Sequence, residues 1–125
     1  MQQTEYSVAI IGAGASGITA AINASQSTSS VIILERLLTA GKKILASGGG
    51  RCNILPVNFN AQAYNLEAIP LVKSIFAKFG YAEIEKFFKG LGLNFYTEGK
   101  RIFPVTNQAS SVLKLLELEL KRKNI

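Results

Sequence analysis

The first apolar run of the chain is short. Tyr6 to Ile11 (YSVAII) is rich in β-branched residues and ends at Gly12. A run of that kind predicts a strand buried on both faces. From Ala15 to Ser27 the apolar residues Ile18, Ala21 and Ile22 recur at helical spacing among small neighbours. That pattern predicts a helix pressed closely onto a sheet. Val31 to Leu34 (VIIL) predicts a second buried strand, ending at Glu35. Strand, helix and strand within about 30 residues form a βαβ unit, whose two strands run parallel and whose crossover is right-handed.

The pattern then changes. Gly41 to Asn53 is a long glycine-rich stretch, and Pro56 to Asn65 is polar and irregular. Helical periodicity returns over Ile69 to Phe79 and Ala82 to Leu91, with Phe76, Phe79, Phe87 and Phe88 expected to form a small satellite core. Leu93 to Thr97 and Arg101 to Val105 predict two short strands joined by a hairpin turn at Glu98-Gly99-Lys100. Ser110 to Lys123 predicts an amphipathic helix carrying Val112, Leu113, Leu116 and Leu120 on one face, with Asn107 or Ser110 capping its start. The fold class is therefore α/β: a Rossmann-like βαβ unit with additional helices, a β-hairpin and an incomplete parallel sheet. A helix such as the last one should return the chain to that sheet, yet the residues stop at Asn124-Ile125. The expectation is a portion of a larger functional unit.

Composition narrows the chemistry. The chain has 125 residues and is 48% hydrophobic, enough for a packed core. Its formal net charge is +6, which suits an anionic partner, whether a dinucleotide diphosphate, a nucleic acid or an acidic membrane. Basic residues are scattered except for Lys121-Arg122-Lys123, which reads as a solvated helix end and not as a nucleic-acid footprint. With one cysteine and no histidine, an internal disulfide, a zinc site and Ser-His-Asp hydrolysis are all excluded. A lone cysteine fits a reducing compartment. Val8 to Ala24 lacks a preceding cationic segment and contains three glycines, so it does not read as a signal peptide. No apolar run reaches the roughly 18–20 residues of a membrane span. A cytoplasmic protein with neither a membrane nor a nucleic acid as partner is expected.

Gly12-Ala13-Gly14-Ala15-Ser16-Gly17 matches G-x-G-x-x-G, between a predicted strand and a predicted helix. That context makes it a dinucleotide-binding fingerprint. Gly12 serves the tight turn, Gly14 the approach of a diphosphate, and Gly17 the close packing of helix on strand. The bare amides and dipole at the helix start hold the anion. Glu35, 18 residues beyond Gly17, is placed to accept hydrogen bonds from ribose hydroxyls, and it disfavours NADP by repelling a 2′-phosphate. A second constellation follows in Gly41-Lys42-Lys43-Ile44-Leu45-Ala46-Ser47-Gly48-Gly49-Gly50-Arg51-Cys52-Asn53. The glycines let backbone approach a flat or anionic ligand, the cations attract phosphate, and Ser47 and Asn53 offer neutral hydrogen bonds. Cys52 reads as a packing residue beside the ligand, since a dithiol mechanism needs a second cysteine.

GAGASG, LERLLTAGKKILASGGGRCN and GKRIFPVTNQASSVL together resemble the HI0933-like flavoproteins, a group of NAD(P)/FAD-dependent oxidoreductases. The resemblance runs through nearly the whole chain. It implies that residues 1–125 are the N-terminal part of a discontinuous FAD-binding domain, from which an inserted domain and a C-terminal FAD segment are absent. It further implies that Gly12, Gly14, Ser16 and Gly17 hold the diphosphate, with Glu35 at the adenosine ribose and Arg36 beside the adenine. Lys43 and the Ser47 to Asn53 loop would run beside the diphosphate, ribityl chain and flavin. The implied activity is hydride transfer through FAD, from NAD(P)H to a small organic substrate. An NAD-dependent dehydrogenase and a non-catalytic dinucleotide-binding remnant are the alternatives. No residue stands out as a catalytic acid or base.

Overall fold

The computed structural model describes residues 5–125, which divide into two compact units. The first takes in the described residues up to Cys52 together with Thr106–Ile125, and the second is Asn53–Val105.

In the first unit, β1 (Val8–Ile11) and β2 (Val31–Leu34) pair in parallel, Val8 opposite Val31 and Ile11 opposite Leu34. Between them in sequence runs α1 (Ala15–Ala24). Small residues let α1 lie close to the strands, and it buries Gly17, Ile18, Ala21 and Ile22. A short helix, α2 (Lys42–Ala46), sits within the glycine-rich stretch and is anchored by buried Ile44. The closing helix, α5 (Ala109–Arg122), packs on both α1 and α2 through Ala109, Val112, Leu113 and Leu116. Val112, Leu113 and Leu116 each contribute roughly 1.5–3 kcal/mol when fully buried. Leu120, expected on that face, is only half-buried. The last turn of α5 carries Lys121 and Arg122, which complement the helix dipole, and Arg122 makes two hydrogen bonds to Glu119.

Several expectations need correction in this unit. β1 is not buried on both faces: its residues alternate between half-buried and exposed, and Ile11 is 88% exposed. The cause is that β1 has β2 as its ladder partner and α1 packed against it, an arrangement that leaves Ala9 and Ile11 exposed. Neither Asn107 nor Ser110 caps α5. The N-cap is Gln108, whose carbonyl accepts both the Ser111 amide and the Ser111 hydroxyl, while the Asn107 side chain accepts a hydrogen bond from Arg51.

The second unit contains an antiparallel sheet ordered β3 (Leu55–Pro56), β5 (Arg101–Pro104), β4 (Phe95–Glu98). Glu98 pairs with Arg101, so the hairpin loop is only Gly99-Lys100, with Gly99 at φ 59°. Ile102, Phe103 and Pro104 of β5 are all buried, and since successive side chains point to opposite faces, burial here is not confined to one face. The helices α3 (Ile69–Lys78) and α4 (Tyr81–Gly90) bury no residue fully. The four phenylalanines therefore do not make one core. Phe76 stacks on Phe59 with ring centres 3.9 Å apart, Phe87 and Phe88 meet edge to face, and Phe79 is 61% exposed. No helix among the described residues is long and apolar enough to cross a membrane.

Candidate functional site

The glycine turn is shaped by its contacts. The Gly12 amide donates to the Leu34 carbonyl at 2.8 Å, extending the ladder by one bond, and Gly12 takes φ 95° to turn the chain toward α1. Gly14 is the N-cap of α1 in extended backbone. No side chain caps the helix and no acid lies in its first turn, so its leading amides are left to water or a ligand. A methyl group on Gly14 would meet nothing within 4 Å. The backbone is thus open on the side where a side chain would stand.

Glu35 closes the turn from the end of β2. Its Oε2 accepts the Ala13 amide at 2.6 Å and its Oε1 accepts the Leu37 amide at 2.8 Å. The two amides hold the carboxyl below its ordinary range, Leu37 most strongly and Ala13 next, with the Arg36 amide and charge adding to them against a desolvation penalty. A carboxylate offers about four acceptor sites, so each oxygen keeps room for a further donor such as a ribose hydroxyl.

Around this carboxylate lies an open cleft of ≈ 220 Å³, lined by Ala13 and Gly14 of the glycine turn and by Glu35, Arg36 and Leu37 after β2. Thr39, Gly41, Lys42 and Lys43 complete the wall. Three cations against one acid make it a site for an anion. It is smaller than the roughly 300–1,000 Å³ of a full small-molecule site, so it matches one portion of a dinucleotide.

Of the residues singled out by sequence, the cleft gathers Ala13, Gly14, Glu35, Arg36 and Lys43. Gly12, Ala15, Ser16 and Gly17 build the turn and the helix start behind it. The cleft does not reach Ser47, Gly48, Gly49, Gly50, Arg51 or Cys52, which form a separate turn after α2, and Asn53 begins the second unit. In that turn Gly48, Gly49 and Gly50 have φ of 57°, 66° and 86°, and Cys52 closes it by donating its amide to the Ser47 carbonyl at 3.0 Å. The Ser47 hydroxyl donates to the Ile44 carbonyl at 2.6 Å.

Leu37 and Thr39 line the cleft from outside both glycine motifs, and Gly41 and Lys42 line it from the start of the second one. Gly41 was legible as the first glycine of the second stretch. Its amide donates to the Ala13 carbonyl at 2.7 Å, which ties that stretch to the glycine turn.

A dinucleotide fits this donor set: uncapped amides and open backbone for a diphosphate, and a fixed carboxylate for sugar hydroxyls. Comparison with known proteins points the same way. The chain is 45% identical over 120 residues to the 3-dehydro-bile acid delta(4,6)-reductase of Clostridium scindens, a stretch covering 94% of this chain and 29% of that protein. It is 36% identical over 74 residues to the ribosomal RNA dihydrouridine synthase of Escherichia coli K12, covering 59% of this chain and 18% of that one. The chain thus spans less than a third of the length of either relative. A model of the HI0933-like protein Rossmann domain matches residues 6–125, through the glycine turn, Glu35 and the second glycine stretch alike, and the chain belongs to that family.

Proposed function

We propose that this chain is the FAD-binding portion of a flavin-dependent oxidoreductase, the N-terminal part of a discontinuous FAD-binding domain. The observation that carries the reading is the Glu35 carboxylate, clamped by the Ala13 amide at 2.6 Å beside an α1 start that no side chain caps. The α1 amides and Gly14 would hold the diphosphate, Glu35 the adenosine ribose, and Arg36 the neighbourhood of the adenine. Lys43 and the Ser47 to Asn53 segment would run beside the diphosphate, the ribityl chain and the flavin, with Lys43 and Arg51 adding positive charge.

Bound FAD supplies the hydride-transfer chemistry, with NAD(P)H as the electron donor. The residues of this chain bind and orient the nucleotide. Both Glu35 oxygens are fixed by backbone donors, so the carboxylate is already aimed before the sugar arrives. The names of the two relatives, a delta(4,6)-reductase and a dihydrouridine synthase, share the addition of hydrogen across a double bond. The first of them, whose match covers 94% of this chain, supports a small organic substrate bearing an unsaturated bond, whereas the name of the second specifies ribosomal RNA.

The test is retention of cofactor. The purified protein is mixed with FAD or NAD and passed through gel filtration. Flavin absorbance eluting with the protein, and lost on Gly14→Val, supports the reading. Retention of NAD alone identifies a dehydrogenase, and flavin binding untouched by Gly14→Val places the site elsewhere.

A further inference from the structure

The geometry points to Asn107 as a positioning residue for the nucleotide site, one that fixes the Arg51 guanidinium and with it the turn after α2. This inference rests on the FAD reading above.

The link is a hydrogen bond from Arg51 Nε to Asn107 Oδ1 at 2.5 Å, between residues 56 positions apart. A bond from a charged donor is roughly twice as strong as a neutral one. The guanidinium is a rigid planar fork, so engaging its Nε sets the direction of both Nη groups. What holds Asn107 is the start of α5. Asn107 has φ 54°, a left-handed conformation that asparagine tolerates better than most residues. The hydroxyls of Thr106 and Ser111 bond to each other across it, and Ser111 Oγ donates to the Gln108 carbonyl at 2.8 Å. Behind this turn α5 is anchored by Ala109, Val112 and Leu113, all buried. Asn107 therefore presents its carbonyl from a packed frame.

The other partner comes from a weaker one. Arg51 follows three glycines, which bring no side chains to the turn. Its own amide reaches the Gly48 carbonyl at only 3.4 Å, a long bond. The side-chain bond to Asn107 directs the guanidinium before ligand arrives. An arginine already ordered loses less freedom on binding an anion. Asn107 so raises affinity for the diphosphate end of the cofactor without touching it.

Asn107→Gly is the discriminating change, because it keeps the left-handed backbone and removes the side-chain carboxamide that Arg51 bonds to. Flavin fluorescence quenching gives the FAD dissociation constant, and thermal unfolding gives stability. Asn107→Gly is expected to weaken FAD binding by about three- to tenfold with an unchanged unfolding midpoint. In an Arg51→Ala background the same change is expected to have no further effect on binding. If the unaltered protein binds FAD and Gly14→Val abolishes it, while Asn107→Gly binds like the unaltered protein, this inference falls and the FAD reading stands. If the unaltered protein takes up no FAD, both fall together. A weakening by Asn107→Gly that persists in full without Arg51 also overturns it.

Discussion

A methyl group added to Gly17 would lie 1.9 Å from the Gly12 carbonyl oxygen and 3.5 Å from the Ile10 side chain. The third glycine of the fingerprint is thus where α1 presses on the turn leaving β1. Gly17→Ala must push helix and turn apart. Overpacking of this kind costs about 1–3 kcal/mol, and the obstacle here is backbone, which cannot rotate away. Gly14→Ala should cost far less, since nothing lies within 4 Å of its added methyl. Urea unfolding of the two variants checks the contrast. Equal losses would mean that the helix does not sit against the turn as described.

Glu35 makes the fold of the site sensitive to acid. Its carboxyl is held below the ordinary value of 4.5, first by the Leu37 amide and then by the Ala13 amide. A group with a depressed folded pKa contributes its full stability above the unfolded value and loses it as pH falls through the folded one. Glu35→Gln removes that contribution at every pH. The stability gap between the unaltered protein and Glu35→Gln should therefore be constant near neutrality and should shrink once pH drops below 4.5. Chemical unfolding across a pH series measures it. A gap of constant size down to strongly acidic pH would show that the carboxylate is not tied to the two amides.

What could be read in advance was local. The run YSVAII and the run VIIL place β1 and β2, and the latter's bounds agree residue for residue with Val31–Leu34. The spacing of Gly12, Gly14 and Gly17 places the turn and the start of α1, because each glycine answers to a neighbour only a few residues away. Tertiary relationships were not legible. The Ala13 amide finds Glu35 across 22 positions and Arg51 finds Asn107 across 56, and neither pairing leaves a periodic trace. α2 was hidden inside the glycine-rich stretch, since a five-residue helix held by one buried isoleucine has too few turns to show a period. Burial on β1 was overestimated because apolar character states what a residue prefers, and what covers it depends on the elements packed against it.

Gly41 and Leu113 should behave as a coupled pair. Gly41 has φ 66°, and an added methyl would lie 2.3 Å from Leu113 Cδ1. Gly41→Ala combines left-handed strain, of order 1 kcal/mol or more, with the collision. Leu113→Ala alone opens a cavity beneath α2 and costs about 2–5 kcal/mol. Together the methyl enters the vacated space. The double variant should be more stable than the sum of the single losses implies, by roughly 0.5–3 kcal/mol. A thermodynamic cycle from four unfolding curves measures the coupling. Strict additivity would separate Gly41 from the α5 core.

Cys52 should be a slow thiol. It is buried, with φ 60°. Burial pushes its pKa up, and a hydrogen bond with Ser47 offsets only part of that. Alkylation and disulfide exchange need the thiolate, so a raised pKa and a covered sulfur both slow them. At mildly alkaline pH the native protein should react with an iodoacetamide probe more slowly than free cysteine, and urea should restore the ordinary rate. The prediction bears on mechanism, because a thiol that trades electrons with a flavin must be ionised and reachable. Labelling as fast in the native protein as in urea would show that Cys52 is open to solvent, and would return it to consideration as a reactive group.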